Sequence, residues 1–337
     1  MSTRKPFRAF PWLKKSASPA SPPLARGWQR LEEPLMGTEV SVELWHDDVQ
    51  EGMTAARAVM AEYHRINAAM STYLQSSEIS ELNRKAAKAP FTVGRELFDL
   101  VARSLELGRL SGGCFDITYD SVGFLYDLRA GIVPDEAERC ANLPLINYRA
   151  VELDEDRLSI RFQHEGMRIN LGGIAKGYAV ERGAAILRER GVRHALLNAG
   201  GDSRVVGDRR GEPWIIGVRN PRERDAVVAR LPLVDEAIST AGDYERFFER
   251  DGVRYHHILN PTTGLPSTGV HSVTVIGPDG TMTDGLDTAI FVMGVPKGMA
   301  LIAALPDYEA IIVDAAGQLF YSAGLITPTS DENKKTT

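Results

Sequence analysis

From His194 onward the chain is a series of short strand-like runs separated by turn signals: HALLNAGG, EPWIIGVRN, LVDEAISTA, RYHHILN and HSVTVIG. Within this stretch Asp251-Gly252 is a strong two-residue hairpin signal, because tight hairpin turns need residues that tolerate positive φ. Residues 244–248 and 253–259 flank it, so the sheet must contain antiparallel pairing. Upstream the period changes. Residues 39–44 alternate as a strand does, whereas Met53, Ala56, Met60, Tyr63 and Ile66 fall at helical spacing, as do Leu97, Val101, Leu105 and Gly108. A third helix is expected after Gly173. Helices are thus added to antiparallel strands without strict alternation, which gives an α+β fold of largely antiparallel sheets with packed helices.

A chain of 337 residues with 43% apolar content can bury one large core or two modest ones. Its formal charge of −6 supplies no basic field for nucleic acid, and no nucleic-acid motif is present, so that class of partner is set aside. Cys114 and Cys140 lack metal-ligand spacing, and one disulfide would be a thin framework for this length. Residues 1–30 carry basic side chains and no acid and read as a flexible basic arm; residues 31–327 form a single domain, and 328–337 a polar tail. The arm has no uninterrupted apolar stretch of the roughly 7–15 residues that a secretory signal needs. No run of about 18 apolar residues suggests an integral membrane segment. The expected location is cytoplasmic.

The chemistry-bearing residues cluster in a few short motifs. In TDGLDTA, Asp284, Asp287 and Thr288 stand at i, i+3 and i+4, so on a helix they share one face, and two carboxylates with a hydroxyl suit a hard cation such as Mg²⁺. The plainer alternative is a helix start, with Asp284 as cap and Asp287 favoured by the first-turn dipole. Glycine-rich segments recur as LGGIAKG, NAGGD and TAGDY; they let backbone approach a ligand, and Lys176 adds positive charge where a helix begins, which suits phosphate or pyrophosphate. Each could equally be a tight turn. His256 and His257 are adjacent on a strand-like run, so one of the two should face inward; a histidine beside a phosphate site could shuttle a proton, orient a hydroxyl or contact a ring, the plainer alternative being a packed, hydrogen-bonded histidine. Tyr73, in MSTY, could stack on a planar ring or fill the core.

In order along the chain, MGT (36–38), MSTY (70–73), SEISELN (77–83), GGCFDIT (112–118), NLGGIAKGYAVE (170–181), NAGGD (198–202), GDYERFF (242–248), HHILNPTTGLP (256–266) and TDGLDTA form a set that resembles the ApbE-type FAD:protein FMN transferases. The resemblance spans about residues 31–325. It implies a T-fold-like α+β architecture that binds FAD, transfers FMN to a threonine or serine hydroxyl of an acceptor protein with Mg²⁺, and releases AMP. It further implies that Asp284, Asp287, Thr288 and the Gly173 carbonyl ligate the metal, that Tyr73 flanks the isoalloxazine ring, and that Met36, Cys114, Phe115 and Asp116 line the cofactor site. Asn170, Lys176 and His257 are implied to contact FAD or its phosphates. The implied acceptor carries a Ser/Thr-rich flavinylation motif and belongs to a redox complex.

On this reading Mg²⁺ and positioning supply most of the catalysis, Lys176 adds charge near the phosphates, and His257 is the leading candidate to accept or relay the hydroxyl proton, an acid near the metal being the alternative. Some positions depart from the family pattern: Asn170 and Asn260 stand where aspartate is usual, Ile117 where proline is common, and Ala241 where serine is frequent. The same constellation also fits an Mg²⁺-dependent FAD pyrophosphatase, with water in place of the hydroxyl, or a non-catalytic FAD carrier.

Overall fold

The computed structural model describes residues 27–223 and 225–326; the expected polar tail and all but the last four residues of the expected basic arm lie outside the described residues. Eight strands, β1 (Trp28–Leu35), β2 (Thr38–Trp45), β3 (Ala195–Ala199), β4 (Asp202–Val206), β5 (Ala237–Gly242), β6 (Val270–Gly277), β7 (Glu309–Asp314) and β8 (Leu319–Tyr321), pair in chain order into one sheet. Every pairing in it is antiparallel, whereas the hairpin signalled by Asp251-Gly252 forms a separate two-stranded sheet.

The expected boundary between arm and domain, after residue 30, falls inside β1. Charge alone does not reveal the role of Trp28, whose ring packs edge-on against Trp45 and Trp214 at centroid distances of 5.5 and 5.4 Å. The turn from β1 to β2 is two residues long, Met36 (φ 54°) and Gly37 (φ 74°), and a non-glycine residue at positive φ is uncommon. At Asp251-Gly252 the same geometry recurs (φ 53° and 74°) and joins the small hairpin Phe247–Arg250 and Val253–His256. The run LVDEAISTA, expected as one strand, is divided by a turn at Asp235 (φ 53°): Leu233 closes the hairpin Trp214–Arg219/Val227–Leu233, and Ala237 opens β5.

Five helices position the site: α1 (Val49–Met70), α2 (Arg95–Leu110), α3 (Ala175–Glu189), α4 (Gly280–Met293) and α5 (Val295–Ala303). The Asp48 carboxylate caps α1 through the amides of Gln50 and Glu51, and the helix buries Ala56, Val59, Met60, Tyr63 and Ile66. The helices share the main core with one face of the sheet: Val40, Val42 and Leu44 of β2, Val273 and Val275 of β6, and Ala310 and Ile312 of β7. The intervening positions Val205, Ile238, Ile276 and Ile311 form a second core with Trp214, Val218, Leu231 and Leu233 of the first hairpin. A strand's period of two therefore sends Val206, Arg204 and Asp202 of β4 to the helix side. Among the described residues no helix is long and apolar enough to cross a membrane.

The helix start that sequence assigned to Asp284 is instead made by Asp279, whose carboxylate accepts from the amides of Thr281 and Met282. Asp284 thereby lies in the second turn of α4, against α3. Contact between these helices is backbone to backbone: a Cβ on Gly177 would lie 2.0 Å from the Gly280 carbonyl oxygen and 2.6 Å from Cβ of Asp284. Neither neighbour is a flexible side-chain end, so a Gly177→Ala change must force the helices apart. Its expected cost is at or above the top of the ~1–3 kcal/mol typical of overpacking, read as a lower urea midpoint; an unchanged midpoint would contradict this packing.

Candidate functional site

The α3–α4 contact brings a carboxylate to a helix start. Ile174 precedes α3 without a side-chain cap, and Asp284 on α4 supplies one from outside, its Oδ2 accepting from the Gly177 amide at 2.8 Å. Lys176, on the first turn of α3, places its ammonium 3.8 Å from Asp284 Oδ1 and in direct contact with Asp202. Asp287 follows one turn along α4 and accepts from the Thr288 hydroxyl at 3.2 Å. Carboxylate oxygens of Asp202, Asp284 and Asp287 all lie within 4.8 Å of one another, and all three residues are buried.

This crowding sets the electrostatics. Burial, then the Asp202 charge, raises the Asp284 pKa to about 7 against the opposing pull of Lys176. Burial, with Asp284 and Asp202, raises Asp287 well above the ordinary carboxylate range. Burial also disfavours the Lys176 charge, but Asp202 and Asp284 outweigh it and keep the lysine protonated. One ammonium for three carboxylates leaves the pocket short of positive charge. Oδ1 of Asp202 is buried without a hydrogen-bond partner. An all-oxygen set with an orphaned acceptor is the chemistry of a hard-cation site, and the residues fit Mg²⁺.

The other expected residues surround this cluster in part. Gly173 lies beside Thr288 and Phe115: a Cβ there would be 3.4 Å from the threonine hydroxyl and 3.4 Å from the Phe115 ring. Met36 is tied in by Arg246, which reaches the carbonyls of Met36 and Gly37 at 3.4 Å. His256 is the inward member of its pair, with Nε2–H donating to the Ser267 carbonyl at 2.9 Å and its ring edge-on to Phe291. His257 is solvent-accessible, yet protein crowding and the neighbouring Arg246, His256 and Lys176 hold its pKa below the ordinary histidine range, so it is neutral at pH 7. Tyr73 is 86% exposed, which removes the core-filling alternative. Cys114 is half-buried and its thiol is pushed up by burial.

The buried Asp116 carboxylate accepts from the Thr118 amide (2.8 Å) and hydroxyl and from the Tyr148 amide (2.9 Å). Asn170 is likewise engaged, donating to Thr72 and Asp120 and accepting from the Gly172 amide. Asn260 closes its loop by accepting from the Thr262 amide at 2.9 Å. Sequence reading missed Asp202, Arg246 and Asp120. For Asp202 a signal existed, since it is the only acid in NAGGD and directly follows the glycine pair that turns β3 into β4.

A buried oxygen-ligand cluster under a helix start, in an antiparallel α+β fold, is an arrangement that could hold a metal ion. The ApbE family model matches residues 36–312. An FAD:protein FMN transferase of Klebsiella pneumoniae (strain 342) is 34% identical over 287 residues, 83% of this chain and 87% of that protein. One from Vibrio cholerae is 33% identical over 285 residues, 81% and 84% of the two chains. Among solved structures, the ApbE protein of Thermotoga maritima superposes with a TM-score of 0.82 at 33% identity, covering 88% of this chain and 97% of its own. The flavin transferase ApbE of Vibrio cholerae gives 0.77 at 28% identity, covering 88% and 98%. The chain belongs to the ApbE family.

The raised Asp284 pKa carries a pH signature. The folded state keeps this proton up to about pH 7, while the unfolded chain releases it near the ordinary value of 3.8, so folded stability contributed here is full below about pH 4 and is lost as pH rises to 7. In chelator-treated protein, Asp284→Asn should therefore gain stability relative to wild type across that window, read as the difference in urea midpoints. A difference that shrinks with rising pH would contradict the assigned electrostatics.

Proposed function

We infer that this enzyme, an FAD:protein FMN transferase by family, moves FMN from FAD to a threonine or serine hydroxyl of an acceptor protein, depends on Mg²⁺ and releases AMP. The observation that carries the reading is the buried cluster of Asp202, Asp284 and Asp287, with its orphaned Asp202 oxygen, beside Lys176. Asp284, Asp287, Thr288 and the Gly173 carbonyl would hold the cation, with Asp202 as an added carboxylate. When bound, Mg²⁺ would neutralise charge on a pyrophosphate.

The protein's own groups supply the rest. Lys176 stays protonated and adds positive charge where the phosphates would lie. Neutral His257 accepts the proton of the acceptor hydroxyl as its oxygen bonds to the FMN-side phosphorus. The bond from that phosphorus to the bridging oxygen breaks, and AMP leaves with the electron pair. Tyr73, exposed on the turn after α1, offers a flat face for the isoalloxazine ring. The acceptor is proposed to present its hydroxyl in a Ser/Thr-rich segment of a redox-complex subunit.

The test is to incubate the protein with FAD, Mg²⁺ and a threonine-containing acceptor fragment, then read intact mass and in-gel flavin fluorescence. An FMN adduct that forms with Mg²⁺, disappears with chelator and is lost in Asp284→Ala is the expected result. Free FMN and AMP without adduct on any acceptor would replace transfer by hydrolysis, and intact FAD would leave only a carrier.

A further inference from the structure

Away from the carboxylate cluster, the described residues contain a second buried acid whose position the chemistry above does not explain. Asp120 opens the single helical turn Asp120–Gly123 and is 5% exposed. One of its oxygens pairs with Arg168 Nε at 3.1 Å; the other accepts from Asn170 Nδ2 at 3.2 Å.

The remaining bonds of the Asn170 amide reach two other site segments. Nδ2 also donates to the Thr72 hydroxyl at 3.2 Å, next to Tyr73, and Oδ1 accepts from the Gly172 amide at 2.8 Å, next to Gly173. A side-chain amide can be placed either way round in a pocket of neutral partners. A carboxylate only accepts, so the amide nitrogen must face Asp120, and the amide oxygen is thereby aimed at Gly172. Burial pushes the Asp120 carboxyl up, while Arg168 and the hydrogen bond from Asn170 act in the opposite sense and favour the carboxylate.

We propose that Asp120 is a positioning residue of the flavin site: its carboxylate fixes the Asn170 amide, which holds the Gly172-Gly173 turn and the Thr72-Tyr73 turn in one arrangement. The proposal rests on the flavin-transferase reading for its consequence but not for its geometry. It also accounts for the asparagine. An aspartate in place of Asn170 would set two buried carboxylates against each other beside one arginine, whereas exchanging the two residue types restores a donor facing an acceptor. In the exchanged pair the carboxylate introduced by Asn170→Asp still accepts from Gly172, and the Thr72 hydroxyl turns to donate.

The experiment compares wild type, Asp120→Asn, Asn170→Asp and the exchanged double variant. Each is measured for FAD dissociation constant, for KM and kcat in flavin transfer, for Tm, and for hydrogen exchange of the peptide containing Gly172. Asp120→Asn should weaken FAD binding and raise KM for FAD roughly tenfold, the loss expected when a buried charge-assisted hydrogen bond becomes a neutral one, with a smaller change in kcat. Asn170→Asp should do at least as much harm, and the double variant should bind FAD more tightly than either single variant. Exchange at Gly172 should rise in both single variants and fall back in the double, whether or not flavin is present. Unaltered exchange and KM in Asp120→Asn, or a double variant no better than its parents, overturns the proposal; a fall in Tm alone reduces Asp120 to a structural acid. Wild type that shows the exchange pattern but binds no FAD would refute the flavin reading and leave the strut intact.

Discussion

The backbone contact between α3 and α4 at Gly177 and Gly280 is the constraint on which the site depends. With no Cβ on Gly177, the two helices approach until the Asp284 carboxylate reaches the first-turn amides of α3. That approach also sets Lys176 beside Asp284, while β4 brings Asp202 to the same ammonium. Wider spacing would leave the start of α3 uncapped and take Asp284 away from the lysine. The last glycine of LGGIAKG therefore sets the electrostatics of the pocket through packing.

Three buried carboxylates around one ammonium are costly in the metal-free protein, and the raised pKa values of Asp284 and Asp287 express that cost. Burial of this kind persists where a bound ion offsets it. The sheet contributes rigidity, since β4 is buried on both faces and delivers Asp202 from a strand rather than a loop. The groups proposed to meet the ligand sit on turns and at strand ends: Met36 between β1 and β2, Tyr73 after α1, and His257 after the small hairpin. A rigid charged base with exposed aromatic and histidine side chains above it suits a long ligand with a pyrophosphate at its middle.

Much of this is legible in the sequence, for definable reasons. The Asp251-Gly252 turn and the strand alternation imply antiparallel pairing because φ requirements and burial parity act locally. The TDGLDTA spacing puts Asp284 and Asp287 on one helix face for the same reason. What stays hidden depends on distant parts of the chain. Asp202 joins the cluster only because β4 runs under α4, and Asp120 meets Asn170 across a separation of 50 residues. The alternative of Asp284 as a helix cap is removed because the helix begins five residues earlier, at the Asp279 cap. Trp28 looks like part of the arm because its two aromatic partners lie on β2 and a later hairpin.

The Asp202, Asp284 and Asp287 cluster is proposed to hold a divalent cation on which flavin transfer depends. Its most direct test is an electron paramagnetic resonance titration with Mn²⁺ as stand-in for Mg²⁺, in the presence of FAD. The predicted result is a saturable protein-bound signal that is lost in Asp284→Asn and Asp287→Asn and kept in a control at the exposed Asp156, Asp156→Asn. Undiminished Mn²⁺ binding by the two cluster variants would contradict it.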